Sequence, residues 1–222
     1  MTLEVCCGNL ESVHAAVKGG APRIELCSQL ELDGLTPEWV YLREARKRYP
    51  SLIIHVLIRP RAGDFCYLPS EVKTMVRDIR TAINLGADGI VTGVLDASSE
   101  VHLPAMRQLM EAAEGIPVTF HRAFDVCRNP FQALEAIGHL GCSRILTSGQ
   151  AATALEGAPL IRRLQEKTDL ILLPGGGVSP ENARRILEIT GGHELHASAS
   201  EVQPDGRKVT SAEKVAQILA QF

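Results

Sequence analysis

At 222 residues, with 45% hydrophobic and 22% charged side chains, the chain has the balance of a globular domain that can bury a core without disulfides or structural metal. A formal charge of -3 and only 4% aromatic residues speak against nucleic-acid binding by phosphate neutralisation or base stacking. The densest apolar run, 52–58, is too short to cross a bilayer and carries His55, so no membrane partner is expected.

The opening MTLEVCCGNLES lacks a basic stretch ahead of an apolar one, so no secretory leader is expected. Six cysteines are too sparse for a disulfide scaffold, which points to reduced thiols in a cytoplasm. Along the chain, short β-branched or apolar runs at 3–7, 23–27, 52–58, 89–94, 117–121, 144–148, 169–173 and 194–198 each precede an amphipathic stretch. After the third run, Val72, Met75, Val76, Ile79 and Ile83 recur at helical spacing. Thr36-Pro37-Glu38, Asn129-Pro130 and Ser179-Pro180-Glu181 read as caps followed by proline in the first turn, and Thr210 with Glu213 as a capping box. Glycines close the helices at Gly19-Gly20, Gly86, Gly115, Gly141 and Gly191-Gly192. Eight units of about 28 residues, strictly alternating, predict parallel strands with right-handed crossovers and a compact single-domain (β/α)8 TIM barrel over 1–222. An open doubly wound sheet would leave two hydrophobic edges.

Strand parity then sorts the side chains, because residues two apart share a face. Ile54, Val56 and Ile58 belong against the helices, which turns His55 and Arg59 inward. The first two strands carry the same inward signature, Glu4 with Cys6 and Glu25 with Cys27. His121, Glu194 and His196 join them inside. Barrel interiors ordinarily hold valine, isoleucine and leucine, and unpaired buried charge costs several kcal/mol, so this surplus of ionisable groups predicts a functional pocket on the axis.

The loops at the strand C-termini add to it. Arg59, Arg61 and Asp64 follow the third strand, and guanidinium forks suit carboxylate or phosphate. His121, Arg122 and Asp125 follow the fifth, where the carboxylate is placed to orient the imidazole. Ser148 in the sixth loop and Gly176-Gly177 in the seventh are small enough to let backbone N–H groups approach an anion, with Ser179, Ser198 and Ser200 beside them. Cys6 and Cys27, expected at equal levels on neighbouring strands, suit Cu(I) with His55 or Cys7 as a third donor. A buried free cysteine also serves simply as a small apolar residue. The six lysines avoid the strand C-termini, which disfavours Schiff-base chemistry, and no GxGxxG, Walker loop or HExxH occurs.

The segments 22–27 (PRIELC), 34–37 (GLTP), 58–67 (IRPRAGDFCY), 91–96 (VTGVLD), 119–125 (TFHRAFD), 145–150 (ILTSGQ), Gly176-Gly177-Val178 and 194–196 (ELH) resemble those of the CutC-type copper homeostasis proteins. The resemblance implies a cytoplasmic, compact barrel, generally a homo-oligomer, that binds copper, with no reaction firmly attached. It marks Cys6 and Cys27 as copper thiols and Glu25, His55, Arg59, Asp64, His121, Arg122 and Asp125 as the polar pocket. Ala62, where the family has glycine, and Ala197 depart from its pattern.

Two functional expectations follow. In the first, Cys6 and Cys27 hold Cu(I). In the second, a barrel enzyme binds a small anionic or phosphorylated substrate through Arg59, Arg61, Asp64, Arg122, Ser148, Gly176 and Gly177. Glu25, His55, His121 and Asp125 then supply acid–base chemistry. A non-catalytic barrel recruiting a partner through its helices is a third class, and no apolar helix face argues for it.

Overall fold

The computed structural model, which describes residues 1–202 and 208–222, pairs the eight apolar runs as parallel strands, each followed by a helix. In chain order these are β1 (Thr2–Cys7), α1 (Leu10–Lys18), β2 (Arg23–Leu26), α2 (Trp39–Arg48), β3 (Ile53–Leu57), α3 (Pro69–Asn84), β4 (Gly89–Thr92) and α4 (Leu103–Ala112). They continue with β5 (Val118–Phe120), α5 (Pro130–His139), β6 (Arg144–Thr147), α6 (Ala154–Gln165), β7 (Ile171–Pro174), α7 (Ala183–Thr190), β8 (Glu194–Ala197) and α8 (Ala212–Leu219). The lateral order is β7-β6-β5-β4-β3-β2-β1-β8, and a parallel bridge between Gly175 and His196 joins the two ends. The sheet is therefore a nearly closed (β/α)8 barrel, and the open-sheet alternative falls away. No helix among the described residues is long and apolar enough to cross a membrane.

An antiparallel hairpin, β9 (Ser200–Val202) with β10 (Lys208–Thr210), interrupts the eighth unit and was not legible as a strand pair. It removes Ser200 from the anticipated anion cup, and the Ser200 hydroxyl instead meets Ser198 Oγ at 3.3 Å on the surface.

Asn129 caps α5 as expected, accepting from the Phe131 and Gln132 amides. Three other caps differ. Thr36 Oγ1 accepts instead from the Arg59 amide at 2.9 Å, and α2 starts only after Glu38. Ser179 leads a turn in which its amide donates to Asn182 Oδ1 at 2.8 Å, so α7 begins three residues later than the Ser-Pro-Glu signal implied. Ser211, not Thr210, caps α8 by accepting from the Lys214 amide. For Thr36 the competing partner is an amide of another loop, which takes the hydroxyl that the cap rule assigned.

Two apolar clusters confirm the parity. Leu3, Val5, Ile24, Leu26, Ile54, Val56, Ile58, Ile90, Phe120 and Leu195 pack outward against helix residues such as Val13, Leu42, Met75, Ile79, Met106 and Val215. At about 1.5–3 kcal/mol for each fully buried large aliphatic side chain, this shell supplies the main stabilisation. Inside, Cys6, Cys27, Leu57 and Val91 form a separate small cluster, and the lumen also holds the buried polar and charged groups Glu4, Arg23, Glu25, His55 and Thr119. The outer shell is what allows the lumen to hold charges.

Candidate metal and acid–base centre in the barrel interior

At the strand N-termini, Arg23 donates through Nε to Glu4 Oε2 at 2.6 Å and through its other arm to Glu194. Arg144 Nε meets the same Glu194 oxygen at 3.0 Å. Arg23 and Arg144 were missed in the sequence, although the parity that turns Glu25 and Cys27 inward applies equally to Arg23. They give the floor of the lumen two cations against two carboxylates. Burial opposes ionisation of Glu194, but the two guanidiniums outweigh it and hold its pKa below the ordinary value.

Glu4, fully buried, is the hub above this floor. Its Oε1 meets His196 Nδ1 at 2.9 Å, and its Oε2 lies 3.0 Å from His55 Nδ1. The His55 approach is too far off line to count as a hydrogen bond, and Nδ1 has no other partner. Desolvation pushes Glu4 up, but His196 and His55 outweigh it, so its pKa lies well below the usual carboxylate value. Burial likewise opposes charging His196, and hydrogen bonds with Cys6 and Glu4 reverse this, so its pKa is raised well above the ordinary imidazole value. With Nδ1 fixed on Glu4, the Nε2 face of His196 looks toward Glu25 Oε2, 3.6 Å away, and toward Cys6.

The register corrects the expected level of the thiols. Cys6 pairs with Glu25 across β1 and β2, so Cys27 stands one pleat nearer the mouth instead of opposite Cys6. Barrel shear, which equal Glu-x-Cys signatures do not reveal, causes the offset. The two thiols still interact. The hydrogen bond from Cys27, helped by His196, lowers the Cys6 pKa to about 5, while the same contact and burial raise Cys27 well above the ordinary thiol. The Cys27 sulfur also lies 3.5 Å from the Cys7 carbonyl oxygen. At neutral pH the pair is thus a Cys6 thiolate beside a Cys27 thiol. Burial raises Glu25 to about 8, leaving it mainly a neutral acid.

The ligating atoms of Cys6, Glu25 and His196 all lie within 4.8 Å of one another. Beside Cys6 this group holds Glu25 and His196; Cys27 is not a member of it, and neither His55 nor Cys7 joins it. His55 sits on Glu4, and Cys7 packs outward with its thiol raised well above its ordinary pKa by burial.

Inward glycines make room for all three lumen imidazoles. A Cβ on Gly89 would stand 2.6 Å from His55 Cδ2, one on Gly93 2.7 Å from His121 Nδ1, and one on Gly175 3.2 Å from His196 Cβ. A glycine where parity calls for an inward residue was the available signal for these bulky neighbours, and it was not used.

The loop residues are less concentrated than expected. The Arg59 guanidinium clamps the carbonyls of Leu32, Gly34 and Gly63 at 2.9–3.0 Å. Arg61 pairs with Glu71 at 2.7 Å and with Asp64 at 2.9 Å, near the surface. Asp125 does not orient His121. Its oxygens accept from the Ser148 amide and hydroxyl at 3.0 Å, from the Gln150 amide at 3.2 Å, from Thr147 Oγ1, and from Arg122 at 2.7 Å. His121 Nδ1 accepts instead from the Ala123 amide at 3.2 Å, and burial drives the imidazole pKa down to about 3. Gly176 lies against Ser148 and Arg122, and Gly177 against Thr153, so the fifth, sixth and seventh loops do converge. The Ser148–Arg122 contact, 3.0 Å, ties them together.

A family model described as the CutC family matches residues 1–201. A CutC family protein of Bacteroides thetaiotaomicron is 52% identical over 200 residues, covering 89% of this chain and 80% of the relative. One from Pasteurella multocida is 46% identical over the same length, covering 89% and 82%. Among solved structures, a CutC protein from Streptococcus agalactiae, named for copper homeostasis, superposes with a TM-score of 0.85 at 32% identity, over 89% of this chain and 98% of that one.

Proposed function

The chain belongs to the CutC copper homeostasis family, and from that premise we propose that its lumen binds Cu(I) as cargo through the sulfurs of Cys6 and Cys27, with His196 Nε2 as a third donor. The observation that carries this reading is the thiolate–thiol contact between Cys6 and Cys27, with a carboxylate-anchored imidazole beside it. Cu(I) is a soft ion, and thiolates with imidazole are the donors it selects. Glu4 on His196 Nδ1 is the kind of carboxylate that fixes the orientation of a metal-binding imidazole. Glu25, a hard donor held mainly protonated, contributes little to Cu(I) and more to exclusion of a second negative charge beside the thiolate.

Loading displaces protons. The Cys27 thiol and the His196 imidazolium must both deprotonate, while the Cys6 thiolate is ready, so binding releases two protons per ion near neutral pH. The approach to Cys27 lies beneath the loop after β2. There Gly34, with φ +83, leaves no room for a side chain, because a Cβ at that position would stand 2.9 Å from Leu57 and 4.0 Å from the Cys27 sulfur. The same reading places the protein in a reducing cytoplasm as a homo-oligomer.

The test is competition with a Cu(I) chelator. Cys6→Ser and Cys27→Ser should each abolish tight binding, and His196→Ala should weaken it while leaving a two-coordinate site. Undiminished affinity in both cysteine variants would overturn the reading.

A further inference from the structure

Above the thiols, the mouth of the barrel holds a cation that no acid neutralises. Arg59 is 4% exposed, yet none of the ion pairs among the described residues includes it. Its terminal nitrogens are spent on three backbone carbonyls, and its Nε is buried with no hydrogen-bond partner. Buried charges are ordinarily paired, because an uncompensated ion in a low-dielectric interior is strongly unfavourable.

Three more buried polar atoms are also unpartnered: His121 Nε2 and the Tyr67 hydroxyl, whose residues lie near Arg59, and Thr119 Oγ1, one pleat below His121 on β5. Phe65 links the group. Its ring lies 5.0 Å from the Arg59 guanidinium carbon and 4.9 Å from the His121 ring centre, roofing both. Thr119 shares the inward face of β5 with His121, and Tyr67 sits beside Arg59 without a hydrogen bond of sound geometry. The protonation of His121 follows from its surroundings. Because Nδ1 accepts from the Ala123 amide and the ring is neutral, the remaining hydrogen is on Nε2, which makes that atom a donor. Arg59 Nε is also a donor only, and the two hydroxyls can donate.

Such a set calls for an acceptor with negative charge. From it we infer that Arg59, His121, Thr119 and Tyr67 form a binding site for a small carboxylate monoanion at the barrel mouth. One guanidinium balances a single charge, whereas a phosphate dianion would bring a second charge with nothing to meet it. The site shares no ligand with the copper centre, so either assignment can fail while the other stands.

The test uses acetate, with acetamide as its uncharged isostere and inorganic phosphate as the dianion, on the full chain. Acetate should raise the thermal midpoint and show saturation-transfer contact in NMR. It should also shift the His121 Nε2 proton, while acetamide does none of the three. Tyr67→Phe and Thr119→Val each remove one hydroxyl with little change of shape, and each should weaken acetate about tenfold, the equivalent of one hydrogen bond to a charged group. Arg59→Gln should abolish binding, and if that variant does not fold, the two hydroxyl variants decide. The inference is overturned if acetate leaves the midpoint and the His121 proton unmoved. Acetate and acetamide acting alike, the hydroxyl variants binding as tightly as the parent, or ordered water alone on these donors in acetate-soaked crystals would overturn it equally.

Discussion

Replacing Glu4 with glutamine tests how the lumen tolerates its charges. The carboxylate is fully buried and receives Arg23 Nε at 2.6 Å and His196 Nδ1 at 2.9 Å, with His55 Nδ1 at 3.0 Å. Glutamine keeps the shape but turns one acceptor oxygen into an NH2 group, which then faces either the guanidinium or the imidazolium, donor against donor. Removing one partner of a buried ion pair costs about 3–5 kcal/mol. Arg23 keeps Glu194, so the loss falls mainly on His196, and the lower end, about 3 kcal/mol, is expected. Against a total stability of about 5–15 kcal/mol this is a large fraction. In urea titrations, with an m-value near the top of the usual ~1–3 kcal/mol/M, the midpoint should fall by roughly 1 M at unchanged slope. The pH dependence carries a sign. Because Glu4 titrates in the folded state well below its unfolded value, its contribution is full above about 4.3 and disappears as the pH falls through the depressed value. The gap between parent and variant should therefore close in acid. A midpoint shift equivalent to less than about 1 kcal/mol, or a gap that is constant with pH, would refute the idea that Glu4 compensates buried positive charge.

Gly89→Ala would place a methyl 2.6 Å from the buried His55 ring, so a loss of about 1–3 kcal/mol is expected, and a thermal midpoint equal to the parent's would show that the ring moves freely. Glu25→Gln should alter the pH profile. With its folded value raised to about 8, Glu25 favours the native state most below about 4.3 and loses that advantage up to about 8, by at most about 1.4 kcal/mol per pH unit. The variant should gain on the parent as pH rises through that window, and a constant difference in urea titrations would contradict the assignment. Asp125→Asn leaves one acceptor for the Ser148 and Gln150 amides and the hydroxyls of Thr147 and Ser148. We expect it to cost about 1–3 kcal/mol and to speed amide exchange in 147–150. Protection that is unchanged there would mean that Asp125 does not hold the two loops together.

The barrel was legible because two periods were written plainly in the chain: alternation in the strands, and helical recurrence between glycine stops. Ile54, Val56 and Ile58 on one face forced His55 and Arg59 to the other, and the two apolar clusters follow that division. What parity cannot supply is the stagger between strands. Cys6 and Cys27 have identical local signatures, yet shear sets Cys6 against Glu25 and groups both with His196 on the far side of β1. Arg23 and Arg144 were open to the same parity and were overlooked because they begin their strands. Gly89 and Gly93, opposite His55 and His121, carried no signal as helix stops, and their inward parity is the feature that marks them. The loops were the least legible part. Arg61, Arg122 and Asp125 had the right chemistry for a ligand, but each found partners within the protein, and those pairings depend on loop geometry that no periodicity encodes.

The copper assignment is tested most directly by X-ray absorption at the copper edge of the Cu(I)-loaded, full-length protein. The account predicts two sulfur scatterers and one imidazole nitrogen around each ion, falling to one sulfur in Cys27→Ser. A spectrum fitted by nitrogen and oxygen alone, or one that Cys27→Ser leaves unchanged, would contradict it.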